Sequence, residues 1–180
     1  MTAPVPREYA SKFDSQTTSS YGMHQVATGP YMEGATFVLG SEDSAGSTGA
    51  ISGGVHATDA ASVQIHFATI NGGLDVEGGA GLFGGPFDVT FNAIEDNQIN
   101  GGATIAGYDG FWQGFIRNTV SGSVVFDDNV LADPDGNELV TNTIHGSLGC
   151  AGNSPAPQVG DSEGSPNIVT GSATGQCAGL

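Results

Sequence analysis

Paired carboxylates are the residues of this sequence that come nearest to a catalytic arrangement. Asp127 and Asp128 are adjacent, and one of them is expected to lie near Asp109 in the fold. A glycoside hydrolase uses two carboxylates at a defined separation. A polysaccharide lyase needs a basic group, yet Arg117 is the single cation of residues 14–180. Because carboxylates on an acidic surface are commonly just solvated, we assign no catalytic residue and keep a lyase or hydrolase as a minor alternative.

Metal binding would need ligands at short, regular spacing. Residues 133–138 place oxygen ligands around a glycine, but they lack the spacing and the distal glutamate of a calcium loop. The four histidines do not pair at the spacing of a zinc site; they are His24, His56, His66 and His145. We therefore predict a turn at residues 133–138 and neither a metal nor another cofactor.

The two cysteines, Cys150 and Cys177, are 27 residues apart, which is close to the repeat length described below. A disulfide between them would clamp the last repeat, where a stacked structure frays most easily. It would also indicate an oxidising location. Two buried free thiols in a cytosolic protein remain the alternative.

A six-residue phrase positions these groups along the chain: apolar, polar, Gly, small, apolar, any residue. It occurs six times, and its central glycines are Gly53, Gly72, Gly101, Gly122, Gly146 and Gly171. Repetition at about 20–30 residues is typical of solenoids, in which each unit buries its apolar face against its neighbours.

Apolar residues alternate through the phrase, which is the period of a strand. In the fourth copy Val120, Val124 and Phe126 share one parity, with Gly122 marking a bend. The sequence predicts an all-β chain: a single-stranded, right-handed parallel β-helix (a solenoid) of about six coils with an N-terminal arm or cap. A sandwich or jelly roll is the alternative.

Four asparagines stand two residues before the leading apolar residue of a phrase: Asn97, Asn118, Asn142 and Asn167. Asparagine tolerates left-handed backbone conformations and bonds its own backbone in turns, so we place these residues at corners. Stacked at a spacing of about 4.8 Å, their amides would form a ladder along the axis. The alternative is that each asparagine only marks a turn.

The charge is strongly negative and unevenly distributed. The 180 residues have a net charge of −16, which disfavours nucleic acid and anionic lipid as partners. No run of about 18 apolar residues offers a membrane span. Residues 1–13 carry a net charge of +1. Residues 14–180 contain one cation, Arg117, and 18 of the 19 carboxylates, which gives them a net charge of −17.

This asymmetry predicts two parts. Residues 1–45 are expected to form an arm or cap that docks on a protein, and residues 46–180 the parallel β-helix with its Cys-clamped last coil. The docking candidates are Arg7, Tyr9, Lys12, Phe13 and Tyr21. An ordinary cap over the first coil is the alternative.

Four aromatic residues lie close together in one connection: Tyr108, Phe111, Trp112 and Phe115. We predict a surface cluster that contacts a glycan or another subunit. Burial over the core is the alternative.

Two stretches resemble short, largely uncharacterised actinobacterial surface-exposed right-handed β-helix proteins. One is the carboxyl end, with His145-Gly146-Ser147-Leu148-Gly149-Cys150 and Gly175-Gln176-Cys177-Ala178-Gly179-Leu180; the other is Gly107-Tyr108-Asp109-Gly110-Phe111-Trp112. The likeness covers residues 95–180 and implies a non-catalytic protein. Such proteins normally carry a signal peptide, whose basic-then-apolar pattern residues 1–8 lack. We expect either that a signal was removed or that this export route is not used.

Together these features predict a non-catalytic structural or adhesive surface protein. The leading hypothesis is a phage virion decoration or fibre protein on the virion surface, docked by residues 1–45 on a capsid or tail protein. The alternative is an extracellular, bacterial cell-surface module that binds carbohydrate. A homotrimer is the expected oligomer, if any.

Overall fold

The computed structural model describes residues 36–41, 43, 48–81, 91–159 and 164–180. These residues form nineteen β-strands and no helix, so none of them offers a helix that could cross a membrane. The strands are β1 (Thr36–Leu39), β2 (Gly49–Ile51), β3 (Val55–Thr58), β4 (Ser62–His66), β5 (Ala68–Ile70), β6 (Leu74–Glu77), β7 (Phe91–Glu95), β8 (Gln98–Ile99), β9 (Ala103–Ala106), β10 (Asp109–Gly110), β11 (Trp112–Ile116), β12 (Thr119–Val120), β13 (Val124–Asp127), β14 (Val130–Leu131), β15 (Asn137–Val140), β16 (Thr143–Ile144), β17 (Leu148–Ala151), β18 (Ile168–Val169) and β19 (Ala173–Gly175).

The strands form three large parallel sheets and one small one. The first sheet has the order β1-β4-β7-β11-β15, the second β2-β5-β8-β12-β16-β18 and the third β3-β6-β9-β13-β17-β19. The small sheet is β10-β14. Neighbouring strands in a sheet are one repeat apart in the sequence. The chain therefore adds one strand to each large sheet in turn before it returns to the first of them. The predicted all-β class with parallel pairing is confirmed for the described residues, and an antiparallel sandwich does not fit them.

The glycine phrases lie in register. Their leading apolar residues align across the second sheet as Ile51, Ile70, Ile99, Val120, Ile144 and Val169. Their second apolar residues align across the third sheet as Val55, Leu74, Ala103, Val124, Leu148 and Ala173. Each phrase is therefore the end of one strand, a bend at the glycine, and the start of the next strand.

The bend requires glycine because successive bends almost touch. A Cβ on Gly122 would lie 2.7 Å from the nitrogen of Gly102, and one on Gly72 would lie 2.6 Å from that of Gly54. The amide of Gly122 donates to the carbonyl of Gly101 at 2.8 Å, which fixes the spacing. A side chain at these positions would force two backbones apart.

One hydrophobic cluster takes side chains from all three sheets, so the core lies between them. In β13, Val124 and Phe126 are buried, whereas Val125 between them is 38% exposed. Alternate residues thus face the core, and burying each large apolar side chain contributes roughly 1.5–3 kcal/mol. The buried members are Ile51, Val55, Val63, Ile65, Ala68, Ile70, Leu74, Val76, Ile94, Ile99, Ala103, Ile105, Phe115, Val120, Val124, Phe126, Leu139, Ile144, Leu148, Cys150 and Cys177.

The chain leaves the first sheet through a left-handed residue in four successive repeats. These residues are Phe67, Asp96, Arg117 and Thr141, with φ of 53°, 57°, 55° and 58°. In three of the repeats the asparagine follows, as Asn97, Asn118 and Asn142, and has a negative φ. The left-handed residue of each of these corners is therefore the one before the asparagine, and the asparagines lie at the corners as predicted.

The sheets begin before the boundary predicted at residue 45. Strand β1 lies within the predicted arm, and its Thr36 pairs with Ser62 of β4. Phe37 and Leu39 pack against the core, so this strand belongs to the stack. The docking candidates lie outside the described residues; they are Arg7, Tyr9, Lys12, Phe13 and Tyr21.

Candidate functional site

Four asparagines, which we call the asparagine column, form a continuous hydrogen-bonded row at the exit from the first sheet. The Nδ2 of Asn97 donates to Oδ1 of Asn118 at 3.0 Å. The Nδ2 of Asn118 donates to Asn142 at 3.2 Å, and that of Asn142 to Asn167 at 2.8 Å. Each accepting Oδ1 also receives the backbone N–H of the preceding asparagine at 2.9–3.0 Å. The structure thus brings all four predicted residues together.

Each asparagine also holds the first sheet. The second hydrogen of each Nδ2 goes to a strand carbonyl at 2.7–2.8 Å; the acceptors are Ile65, Ile94, Phe115 and Leu139. Buried amides are stable only when their donors and acceptors are satisfied. The column meets that condition and ties each repeat to the next.

A second amide column stands at the exit from the third sheet and consists of Asn129, Asn153 and Gln176. Asn129 donates from Nδ2 to Asn153 at 2.9 Å, and Asn153 donates to Oε1 of Gln176 at 3.1 Å. Tyr108 precedes them, and its backbone N–H donates to Asn129 at 3.1 Å. Sequence analysis missed this column, although its intervals of 24 and 23 residues match the repeat.

The predicted disulfide is confirmed. Cys150 of β17 and Cys177, in the turn after β19, are bonded with their Cα atoms 5.3 Å apart. Both side chains belong to the buried cluster. The bond closes the last repeat beside Gln176, the end of the second amide column, and the alternative of two free thiols is wrong.

A charge cluster that sequence analysis missed lies on the outer side of the first sheet. It consists of Arg117, Asp96, Glu95 and His66. The Nε and Nη2 of Arg117 donate to the two carboxylate oxygens of Asp96, each at 2.8 Å, and Nη2 also donates to Oε2 of Glu95 at 3.1 Å. The Nδ1 of His66 is 3.9 Å from the same Glu95 oxygen.

The charge cluster supports a structural role for its arginine. The hydrogen bonding of Arg117 to the Asp96 carboxylate, which accepts, is the main reason why the pKa of Arg117 is raised, so its guanidinium stays charged. The Glu95 side chain is only 8% exposed, and a buried carboxylate is costly without a partner. Arg117, the base that a lyase would require, therefore directs its hydrogen bonds to carboxylates of its own chain.

The carboxylates considered for hydrolysis lie at the end of β13 and at the start of β10. Oδ1 of Asp127 accepts the N–H of Ala151 at 2.7 Å at the end of β13. Asp128 is the left-handed residue that follows, and Asp109 opens β10, where it pairs with Val130. Asp127 and Asp128 thus support the backbone at a corner, the first through its hydrogen bond and the second through its left-handed conformation.

The residues considered as metal ligands lie in separate parts of the chain. In the turn at residues 133–138, Asp135 N–H donates to Oδ1 of Asp133 at 3.1 Å. His56 lies beside Thr58, with Nε2 and Oγ1 3.1 Å apart, and His145 is exposed. His24 lies outside the described residues. Within the described ranges no group of three or more His, Cys, Asp or Glu side chains is placed to hold a metal ion.

The predicted surface aromatic cluster is wrong for two of its four residues. Tyr108 is 1% exposed and Phe115 is 0% exposed. Phe115 has the inward parity of β11, and the hydroxyl of Tyr108 donates to the carbonyl of the buried Ala61 at 2.8 Å. Phe111 is 44% exposed and Trp112 is partly exposed.

An aromatic platform does exist, with a membership that the sequence did not show. Phe91 and Trp112 are register partners in the first sheet, and their rings meet edge to face with centroids 6.4 Å apart. The indole Nε1 donates to Oε1 of Glu138 at 3.0 Å. The ring lies over Gly114, where a Cβ would be 2.8 Å from Cζ2 of the indole. We call Phe91, Trp112 and Glu138 the aromatic platform.

Comparisons of the chain with protein-family models, with curated proteins and with solved structures find no match. Its function is therefore argued from the geometry above.

Proposed function

We propose that the described strands are the coils of a right-handed parallel β-helix. Three parallel sheets that share one core, each entered once per repeat, support this architecture. The chain would advance by about 4.8 Å with each coil. Crossovers between parallel strands of one sheet are right-handed in nearly all proteins. A crystal structure with left-handed coils, or with the phrases divided between two facing sheets, would contradict the proposal.

The same geometry supports a function as a non-catalytic structural protein. In this proposal the strands form a stiff acidic rod that is displayed on a surface. The asparagine column is the observation that carries this function, because it joins successive coils by buried hydrogen bonds through the interior. The disulfide closes the end of the rod and favours an oxidising environment.

Within that function, the protein is a decoration or fibre protein on the phage virion surface, attached to a capsid or tail protein. Charge supports this role: residues 1–13 carry a net +1, and the rest of the chain a net of −17. A cationic segment at one end of an acidic rod suits attachment at that end, with the rod projecting outward. Because β1 belongs to the stack, the attaching segment lies within residues 1–35.

Virion attachment is tested with purified particles. The full-length chain should be detected by mass spectrometry in density-purified particles, and the recombinant chain should rebind to particles stripped of it. The double variant Arg7→Glu/Lys12→Glu should lose rebinding, whereas the charge-preserving control Arg7→Lys/Lys12→Arg should keep it. Recovery of the protein only from the host cell surface or culture fluid, or equal rebinding by both variants, would contradict the role and favour the cell-surface alternative.

A further inference from the structure

We propose that Asn100 is a site of spontaneous modification, at which its side-chain amide is converted to aspartate or isoaspartate through the backbone nitrogen of Gly101. This reaction goes beyond the structural function, because it rests on the geometry of one glycine bend. The inference therefore stands whether or not the protein is part of a virion.

Two of the ten asparagines in the chain are followed by glycine, and both lie at the bends of the glycine phrases. They are Asn71 and Asn100, and both side chains are exposed. Glycine has no Cβ, so its backbone nitrogen can approach the side chain of the residue before it. The residues that follow the asparagine column all carry larger side chains, which hinder this approach; they are Gln98, Thr119, Thr143 and Ile168.

The fold itself requires the glycine of each reactive pair. A Cβ on Gly101 would lie 2.7 Å from the nitrogen of Gly73, and one on Gly72 would lie 2.6 Å from that of Gly54. The other four phrases place a different polar residue before their central glycine; these residues are Ser52, Ser121, His145 and Thr170. A reactive pair therefore arises in the two phrases that combine asparagine with the required glycine.

The reaction needs water and no other reagent. The nitrogen of Gly101 attacks Cγ of Asn100, so that an N–Cγ bond forms and the Cγ–Nδ2 bond breaks. Ammonia leaves with the proton of the Gly101 N–H. Water then opens the cyclic imide at one of its two carbonyls. Opening at the Cγ carbonyl gives aspartate, whereas opening at the main-chain carbonyl gives isoaspartate.

Hydrogen bonding distinguishes the two reactive pairs. The N–H of Gly72 donates to a carbonyl of the preceding bend at 2.9 Å, so this nitrogen has to lose a hydrogen bond before it attacks. Among the residues that the structure describes, none accepts a hydrogen bond from the N–H of Gly101. The Oδ1 of each asparagine accepts one side-chain hydrogen bond, so the two attacked carbonyls are polarised alike. Asn100 should therefore react before Asn71.

Modification of Asn100 would weaken the contacts of its bend with the neighbouring repeats. Its Nδ2 donates to Oδ1 of Asn71 at 2.9 Å, and an ionised carboxylate has no proton to donate there. Isoaspartate also adds one methylene to the backbone just before Gly101, whose carbonyl accepts the N–H of Gly122 at 2.8 Å. Both changes disturb a place where successive backbones almost touch.

The test follows each asparagine in the intact protein. Full-length chain with its disulfide is incubated at mildly alkaline pH and is then digested with pepsin in acid, where the reaction is slow. Mass spectrometry with electron-transfer fragmentation measures aspartate and isoaspartate at every asparagine. We expect both products at Asn100 and about fivefold slower modification at Asn71, the factor that one net hydrogen bond represents. The asparagine column should stay unmodified over the same interval.

Two controls separate the effect of the fold from that of the local sequence. The chain unfolded in urea with a reductant should react at similar rates at Asn71 and Asn100, because neither glycine nitrogen is then held. Asn100→Ser is the matched variant, since serine occupies this position in two other phrases, and it should abolish the product at residue 100. Asn71→Ser should still be modified at Asn100. If a variant fails to fold by circular dichroism, the comparison of native and unfolded natural chain decides.

Three outcomes would overturn the proposal. One is the absence of modification at Asn100 in the native chain, which would show that the fold protects this pair. Another is modification of Asn71 at the same rate as Asn100 or faster. The third is a rate ratio that persists in urea, because the difference would then belong to the local sequence and not to the bend.

Discussion

The asparagine column and the glycine bends are two corners of the same repeats, and they are held in opposite ways. At the column, each side chain enters the interior and bonds to the neighbouring repeats and to the first sheet. At the bends, side chains are absent, and the backbones of successive repeats approach directly. One corner depends on hydrogen-bonding groups that must be present, whereas the other depends on a Cβ that must be missing.

This difference predicts different responses to substitution. Loss of an amide leaves several buried donors and acceptors unsatisfied, and each such group costs its full desolvation penalty. Addition of a methyl group at a bend forces two backbones apart, but a bend at the surface can relax outward. The column should therefore be the more sensitive corner.

The largest effect is expected at the centre of the column. Asn118→Ala removes four hydrogen bonds and should lower the free energy of unfolding by about 4 kcal/mol. Urea unfolding followed by Trp112 fluorescence measures it. Asn167→Ala is the control, because Asn167 ends the column and is partly exposed, so water can replace its bonds. Equal losses in the two variants would contradict the importance of burial.

The next largest effect concerns the end of the second amide column. The double variant Cys150→Ala/Cys177→Ala should lose about 3 kcal/mol, the loop-closure contribution of a bridge that spans 27 residues. Hydrogen exchange should rise first around Gln176 and remain slow around Asn97, because repeats are stabilised by their nearest neighbours. The natural chain treated with a phosphine reductant serves as the control. Uniformly faster exchange would argue against a local clamp.

A smaller loss is expected at the glycine bends. Gly122→Ala brings a Cβ within 2.7 Å of the Gly102 nitrogen and should cost about 2 kcal/mol. Gly149→Ala is the matched control, since its Cβ would meet only Oγ1 of Thr174, at 3.7 Å. That variant should stay within about 0.5 kcal/mol of the natural chain. A large loss in both would show that the bends are not special.

The smallest effect tests Tyr108, which precedes the second amide column. Tyr108→Phe removes the bond to the Ala61 carbonyl and should cost about 1 kcal/mol at pH 7. Burial raises the pKa of Tyr108 above its ordinary 10.0. Above pH 10 the unfolded chain therefore releases this proton while the folded chain keeps it. The free energy of unfolding is fully present below pH 10 and declines above it, by about 1.4 kcal/mol per pH unit.

Urea titrations between pH 7 and pH 11 measure this decline. Tyr108→Phe should show a shallower alkaline loss than the natural chain. Parallel pH profiles for the two proteins would mean that Tyr108 does not carry the effect.

The glycine bends, the asparagine column and the disulfide were predictable because each is encoded by one residue type at the repeat interval. The second amide column was missed because it combines two asparagines, Asn129 and Asn153, with Gln176, and because the residue before it is Tyr108. The aromatic cluster was misjudged because the parity of Phe115 depends on where β11 begins. A shift of one residue reverses every side chain of a strand.

The sequence by itself determined the repeat, the bends and the parallel all-β class, since a missing Cβ and an alternating apolar pattern act locally and recur. Only the tertiary structure decided which residues of different repeats meet. His66, Glu95 and Arg117 are joined by register across connections of unequal length, as are Phe91, Trp112 and Glu138. Register is fixed by the packing of the shared core, which no single segment of the chain contains.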